Sequence, residues 1–247
     1  MTSQPSPPAH VLKKEQDNQL LLSPTGVRPK LAASLVLLRG KPGRLQVLMG
    51  QRARQHDFMP SIFVYPGGRV DRADHYAPSL GALPIRTQTL LMHKFSARRA
   101  RALALASIRE TFEETGLIIG QKGTSRRNLT HKGWQSFFDK GYMPDLDGIE
   151  LFGRAITPPR RNKRFDTWFF FKHLSEDQIA PVSDSAELLG VDWFDLDQVK
   201  TLKTHGITLL MLDALKDHLE HKTAPSDIFF MHMVRGQFHQ ERFPQRT

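Results

Sequence analysis

Cysteine is absent from the 247 residues of the chain. This absence excludes a disulfide scaffold, an iron–sulfur cluster, a thiolate zinc site and a cysteine nucleophile. Long hydrophobic runs are missing too, since the best one, residues 31–38, suits a strand and is far too short to cross a bilayer. The first residues lack a basic segment followed by an apolar one, so we expect no secretory signal and a soluble, cytoplasmic protein without a membrane partner.

Acidic residues are outnumbered by basic ones, 25 against 35, which gives a formal net charge of +10. This balance favours an anionic partner, such as a nucleic acid, a phosphorylated metabolite or an acidic membrane surface. A positive net charge also favours solubility, so motifs in the sequence are needed to choose among these partners. The hydrophobic fraction of 39% is enough for a sizeable core and excludes a wholly disordered chain.

The pattern along the chain predicts one mixed α/β domain over residues 31–224, after a proline-rich, disordered arm at residues 1–30. Residues 31–38 and 45–49 flank turn-forming residues and predict a hairpin. Residues 75–97 are an inserted loop with room for a short helix, and the structure of the tail at 225–247 is left open. Further strands are predicted at 62–65, 151–156, 167–172 and 188–194, and helices at 97–115, 131–140, 196–202 and 207–221.

Three glutamates close to the end of the predicted helix 97–115 carry the most chemical information. At about 100° per residue, Glu113 lies about −60° and Glu114 about +40° from Glu110, so the three carboxylates share one face. Their mutual repulsion, together with their position at the negative end of the helix dipole, makes this arrangement locally unfavourable. A hard cation such as Mg²⁺, which takes oxygen ligands, would relieve it. The alternative is a solvated acidic face.

Residues 109–117, RETFEETGL, resemble the second half of the Nudix box, G-x5-E-x7-R-E-U-x-E-E-x-G-U with U an apolar residue. Thr111 replaces the first apolar position. Gly68 resembles the box glycine, but it lies 41 positions before Arg109, where the box has 14, so 27 residues are inserted. The first acidic position falls on Asp74 or on Arg101, depending on where the gap is placed. The remaining matches are Arg109, Glu110, Glu113, Glu114, Gly116 and Leu117.

The segments before the insertion resemble one branch of the Nudix hydrolases, the peroxisomal-type coenzyme A diphosphatases. That branch carries FMP, VYPGG and AD segments, here at 58–60, 64–68 and 73–74, ahead of a long insertion and a RETFEE helix. Residues 156–170 resemble it as well. The likeness covers roughly residues 30–205. It implies the Nudix fold, in which a mixed β-sheet lies between helices.

The resemblance implies hydrolysis of a nucleoside diphosphate linked to another group. The leading substrate is coenzyme A or an acyl-CoA, which would give 3',5'-ADP and a 4'-phosphopantetheine derivative. By position, Glu113 and Glu114 would bind Mg²⁺ or Mn²⁺ with help from Glu110. Arg109 would hold the glutamates by ion pairing.

Further positions are implied less specifically. Gly67 and Gly68 would form the tight turn that lets the backbone approach metal and phosphate. Glu187 stands where many members carry an additional catalytic or metal-binding acid, and the alternative is an ordinary loop carboxylate. Arg52, Arg54 and Arg164 are candidates for binding substrate phosphate, since guanidinium groups pair bidentately with phosphate oxygens. Solvated loops are the alternative for these arginines.

Other functions remain compatible with the sequence. One is a hydrolase of NADH, ADP-ribose or another nucleotide diphosphate. Another is a Nudix-fold module with weak catalysis that binds a ligand or nucleic acid. A nucleic-acid partner is disfavoured because no aromatic platform is interleaved with the basic residues. The sequence leaves a homodimer open.

Overall fold

The computed structural model describes residues 26–55, 59–125, 130–220 and 226–244. The predicted disordered arm therefore lies outside the described residues, except for positions 26–30. Residue 58 of the FMP segment lies outside them as well. No helix within these ranges is long and apolar enough to span a membrane.

The predicted N-terminal hairpin is confirmed, with antiparallel strands joined by a two-residue turn at 42–43 and Leu38 opposite Val47. The first strand is buried on both faces, which explains its continuous apolar run. The strands in the described ranges are β1 (Lys30–Lys41), β2 (Arg44–Arg52), β3 (Phe63–Val64), β4 (Gly67–Arg69), β5 (Gly120–Lys122), β6 (Tyr142–Pro144), β7 (Glu150–Ile156), β8 (Phe165–His173), β9 (Leu188–Asp195), β10 (Ile228–Val234) and β11 (Gln237–Phe243).

The main sheet has the strand order β11-β10-β7-β8-β1-β2-β3, while β5 and β6 form a separate pair. The β1–β8 and β7–β10 pairs are parallel, and the other pairs are antiparallel. Strand β1 has two partners on one side, because β4 pairs with its beginning and β2 with its end. Strand β9 pairs with β2 on an additional branch.

Helices cover both faces of this sheet. Helices α1 (Ile85–Met92), α2 (Ala97–Thr115) and α3 (Lys132–Asp139) share one core with Leu35 of β1. Helix α4 (Gly206–Glu220) shares the other core with Val36 of β1. The expected mixed sheet between helices is thus confirmed.

Helix α2 coincides with the predicted helix 97–115. It is buried on almost every side over residues 102–109, where alternating alanine and leucine let the sheet and two neighbouring helices approach closely. Gly116 ends the helix in the left-handed conformation, and its N–H donates to the Phe112 carbonyl at 2.9 Å. The glutamate cluster therefore lies on a rigid element.

Two parts of the chain differ from the sequence pattern. The helix predicted at 196–202 is wrong, since only a 3-10 turn forms at Gln198–Thr201. Leu196, Val199 and Leu202 reach the core at a spacing of three, which is the repeat of a 3-10 helix. The tail left open at 225–247 contains the β10–β11 hairpin, which extends the sheet beside β7. Its outer strand is half-buried along its length and so has no clear alternation.

Candidate active site

The turn at Gly67 and Gly68 brings backbone directly against helix α2. The Gly67 N–H donates a hydrogen bond to Glu114 Oε2 at 2.8 Å. A Cβ on Gly67 would lie 2.5 Å from the Ala33 carbonyl oxygen, and a Cβ on Gly68 would lie 2.5 Å from the Glu110 carboxyl carbon. Glycine is therefore required at position 67, where a Cβ would meet backbone, whereas a Cβ at position 68 would displace the Glu110 carboxylate.

Arg109 gathers the other two carboxylates. Its Nη1 donates to Glu110 Oε1 at 2.7 Å and to Glu113 Oε2 at 3.1 Å. Its Nη2 also donates to the Arg69 carbonyl at 2.9 Å, next to the glycine turn. Burial alone would lower the pKa of the guanidinium, but the surrounding carboxylates raise it above its usual value. Arg109 is therefore held as a cation.

Asp74 binds the Arg109 guanidinium on the side away from Glu110 and Glu113. Its carboxylate accepts from Arg109 Nε at 2.8 Å and Nη2 at 3.0 Å, and it also accepts from Trp134 Nε1 at 2.8 Å. The Asp71 N–H donates to it at 2.7 Å. Asp74 is fully buried and does not line the cavity described below. It acts as a positioning residue rather than as a ligand for a metal.

Arg101 is the alternative position for the first acidic residue of the Nudix box, and it makes different contacts. Its guanidinium donates to Ser79 Oγ at 2.9 Å and to the Ala77 carbonyl. These contacts attach the inserted segment to the first turns of α2. The geometry thus gives the acidic box position to Asp74.

Glu113 lies against the N-terminal end of helix α3. A Cβ on Gly133 would overlap Glu113 Oε1, at 1.5 Å. The His131 Nδ1 lies 3.9 Å from the same oxygen. Glycine at 133 therefore leaves the space that the carboxylate occupies.

Burial raises the pKa of two of the glutamates. For Glu110 the pKa rises to about 7, with Arg109 opposing and Glu113 reinforcing the effect of burial. For Glu114 burial and the neighbouring Glu110 raise the pKa well above its usual value, against the Gly67 hydrogen bond and Arg52. The negative charge at this end of α2 is thus incompletely compensated by the protein.

A divalent cation suits this donor set. In the described part of the chain no three acidic or histidine side chains converge on one point. Glu110 and Glu113 instead point at Arg109, and Glu114 points at Gly67. Carboxylate oxygens are ligands that Mg²⁺ and Mn²⁺ prefer, and a cation would compensate the charge that Arg109 leaves.

A cavity of about 610 Å³ begins at the three glutamates and continues over the face of the sheet on which α4 packs. Its first end is formed by the glycine turn and by α2. Met231 and Phe238 of the β10–β11 hairpin also line it, on the far side of β1, β8 and β7 from the glycine turn. Six basic and four acidic residues line it: Lys30, Arg52, Arg69, Arg161, Lys163 and Arg164, and Glu110, Glu113, Glu114 and Glu187. This excess suits an anionic ligand.

The predicted substrate residues lie at different places. Arg52 lines the cavity, where burial lowers its pKa and Glu114 and Glu187 oppose that effect. Glu187 is exposed at the same end. Arg164 lines the cavity but donates to the carbonyls of Thr157 and Val27, at 3.0 and 2.7 Å. Arg54 is exposed in a turn and is not among the lining residues.

Sequence reasoning missed His205, which is buried beside the cavity at the start of α4. Burial, with Arg161 and Arg52, lowers its pKa to about 4. It also missed Trp134 and Gly133, which support Asp74 and Glu113 from a separate helix. The aromatic residues at 134, 137 and 138 predict a buried helix face, but nothing in their spacing indicates the carboxylates that they contact.

Comparisons with known proteins agree with this geometry, although no family model matches the chain. Acyl-coenzyme A diphosphatase NUDT19 of Gallus gallus is 32% identical over 66% of this chain and 60% of the relative. The Xenopus laevis protein of the same name is 22% identical, over 66% and 56%.

The chain thus spans about 60% of the length of these curated relatives. Among solved structures, a NUDIX hydrolase from Alicyclobacillus acidocaldarius has a TM-score of 0.60 at 25% identity, covering 76% of this chain and 91% of that one. With the box residues of α2 placed on the glycine turn, the chain has the Nudix fold and is similar to Nudix hydrolases.

Proposed function

We propose that the chain hydrolyses the diphosphate of a nucleoside diphosphate linked to a second group, with a divalent metal held by Glu110, Glu113 and Glu114. One observation carries the proposal. Glu114 is anchored to the Gly67 N–H at the end of the large cavity, and Arg109 holds the other two carboxylates beside it. The metal would be Mg²⁺ or Mn²⁺.

The leading substrate is coenzyme A or an acyl-CoA. Two relatives carry the name acyl-coenzyme A diphosphatase, which supports this choice. The basic lining of the cavity supports it as well, because coenzyme A carries a 3'-phosphate in addition to the diphosphate. The products would be 3',5'-ADP and a 4'-phosphopantetheine derivative.

In the proposed reaction a water oxygen bonds to one phosphorus, and the bond from that phosphorus to the bridging oxygen breaks. A divalent ion bound here would screen the phosphate oxygens and lower the pKa of water. Arg109 keeps Glu110 and Glu113 at one end of the cavity, and the carboxylates would turn from their present partners to share a cation with Glu114. Arg52 faces the diphosphate as a cation that stabilises its negative oxygens. The bridging oxygen stays on the leaving phosphate and carries the negative charge that develops there.

Glu187 is our choice for the group that accepts the proton of the attacking water. It is exposed at the glutamate end of the cavity, so water reaches it, and its charge acts on both Arg52 and Glu114. Its backbone carbonyl accepts from the Ala53 N–H at 2.9 Å, which fixes the loop beside Arg52. A Glu187→Gln variant should lose most of its kcat with little change in KM.

A product assay tests the proposed function. The purified chain is incubated with Mg²⁺ or Mn²⁺ and coenzyme A, acyl-CoA, NADH, ADP-ribose or nucleoside triphosphates, and the products are separated by chromatography. We expect 3',5'-ADP from coenzyme A, lost in Glu114→Gln and retained in Glu176→Gln, an exposed carboxylate outside the cavity. Mn²⁺ titration followed by electron paramagnetic resonance measures metal binding separately.

The outcomes separate the parts of this proposal. Cleavage of NADH or ADP-ribose but not of coenzyme A would refute the substrate and keep the chemistry. Equal turnover by Glu114→Gln and the unaltered chain would refute the role of the carboxylate cluster. Absence of turnover with either metal across the panel would refute the hydrolase and favour a binding module.

A further inference from the structure

The floor of the cavity is a single row of paired residues that crosses the sheet. Arg69 of β4 lies opposite Ala32 of β1, which lies opposite Thr167 of β8. Thr167 is in turn paired with Ala155 of β7, and Ala155 with Met231 of β10. All five residues line the cavity.

The members of this row share one face of the sheet. Ala155 and Met231 belong to the core on the α4 side, as do Val36 and Phe169, which lie an even number of residues from Ala32 and Thr167. Side chains at such even spacings point to the same side of a strand. The row is therefore continuous.

The side chains in the middle of the row are small. Ala32, Thr167 and Ala155 leave space above the sheet, whereas the two ends carry the long side chains of Arg69 and Met231. We call the space above this row, from Arg69 to Met231, the trough. Four strand spacings of about 4.8 Å separate β4 from β10, so the trough is about 19 Å long.

Its two ends differ in chemistry. The β4 end lies beside the glycine turn and the three glutamates. The β10 end is apolar: Met231 is buried, and Phe238 is partly buried in the same core. A ligand lying along the trough would place an anionic diphosphate at one end and an apolar group at the other.

We infer that the trough binds the pantetheine arm of an acyl-CoA in an extended form and that Met231 and Phe238 of the C-terminal hairpin bind the acyl chain. The inference rests on the proposed function for the position of the diphosphate. A pantetheine arm is a flexible linker with two amide bonds, and small side chains beneath it let it lie flat. The hairpin then selects substrates by the length of their acyl chain.

The test measures binding without turnover. Affinities of free, acetyl-, octanoyl- and palmitoyl-CoA are determined by calorimetry with Mg²⁺ in the Glu114→Gln chain, alone and with a second substitution. We expect octanoyl-CoA to bind at least roughly tenfold more tightly than acetyl-CoA, because additional methylene groups are buried. Met231→Trp should weaken the binding of octanoyl-CoA about tenfold and change the affinity for free coenzyme A by less than about twofold.

Two further variants guard against misfolding. Met231→Ala creates space instead of filling it, and we expect the preferred chain to become longer. Met233→Ala is the matched control, since this methionine is on the same strand and does not line the cavity. Thermal melts of each variant identify those that fail to fold.

Chain-length-independent affinity would overturn the inference, as would an equal loss for free coenzyme A in both Met231 variants. Failure of all four ligands to bind would overturn it too. Failure of the proposed function is distinguishable, because a chain-length preference in binding without hydrolysis by the unaltered chain refutes only the hydrolase. Hydrolysis that ignores chain length refutes only the trough.

Discussion

The Arg109 guanidinium and the Asp74 carboxylate form two hydrogen bonds, 2.8 Å from Nε and 3.0 Å from Nη2, in a layer closed to solvent. The partners are 35 positions apart in the chain, and the insertion lies between them. The pair fixes the plane of the guanidinium, and the remaining donor, Nη1, then reaches Glu110 and Glu113. The geometry of two glutamates is thus set by an aspartate that lies outside the cavity.

Removal of that aspartate should destabilise the fold and loosen the arrangement of Arg109, Glu110 and Glu113. Asp74→Ala leaves the buried Arg109 charge with fewer partners and orphans the donor of Trp134, so we expect a loss of about 3 kcal/mol or more in the free energy of unfolding. Urea denaturation measures it. Asp139→Ala, an exposed aspartate on α3, is the control and should change stability by less than about 0.5 kcal/mol. Equal effects of the two substitutions would contradict the support role.

Glycine-to-alanine substitutions test the close approaches around the carboxylates. Gly68→Ala and Gly133→Ala place a methyl group where Glu110 and Glu113 lie. Because the obstacle is a mobile side chain, we expect the carboxylates to move, with kcat falling roughly a hundredfold. Gly26→Ala is the control, because no atom of the described residues lies within 4 Å of the added Cβ. Steady-state rates and melting temperatures are measured for all three, and unchanged rates would refute the geometry.

Two nearby arginines should differ in function. Arg52 lines the cavity beside Glu114 and Glu187, whereas Arg54 is exposed outside it. Arg52→Gln should lower kcat/KM by at least roughly tenfold, since a charge-assisted contact to phosphate is lost. Arg54→Gln should leave it within about twofold. Kinetics with the best substrate of the panel decide, and a larger effect at Arg54 would reverse the assignment.

His205 should make stability depend on pH. Burial and two nearby arginines lower its pKa to about 4 in the folded chain, against an ordinary value of 6.5. The unfolded chain therefore binds the proton more tightly, and stability is lost as the pH falls from about 6.5 to about 4, by roughly 3 kcal/mol in all. Urea unfolding at pH 7 and 4.5 measures the loss. His205→Gln should reduce it, and His93→Gln, an exposed control, should not.

Much of the fold follows from local patterns. The β1–β2 hairpin has an apolar run on either side of Pro42 and Gly43, and α2 has strong helix formers and a terminal glycine, so both are predictable. The helix wheel also placed the three glutamates on one face. The prediction of a helix at 196–202 was wrong because apolar residues spaced by three fit a 3-10 turn as well as an α-helix.

The supporting residues of the site were not predictable, because their role depends on tertiary contacts. Nothing near Trp134 or Gly133 in the sequence indicates that Asp74 and Glu113 lie beside them. The same holds for Met231 and Phe238, since a parallel strand pair leaves no turn signal that names its partner. Arg52 and Arg54 have similar sequence surroundings, and only the direction of the chain after β2 separates them.

The parallel pairing of β1 with β8, and of β7 with β10, affects the order in which the chain can fold during synthesis. Lys30 and Phe238 line the same cavity, although 208 positions separate them. At translation rates of 5–20 residues per second, roughly 10 to 40 s pass between their appearance. During the first part of that time β1 lacks a partner on one edge, because β8 has not yet been made. The cavity is therefore among the last features of the fold that the growing chain can complete.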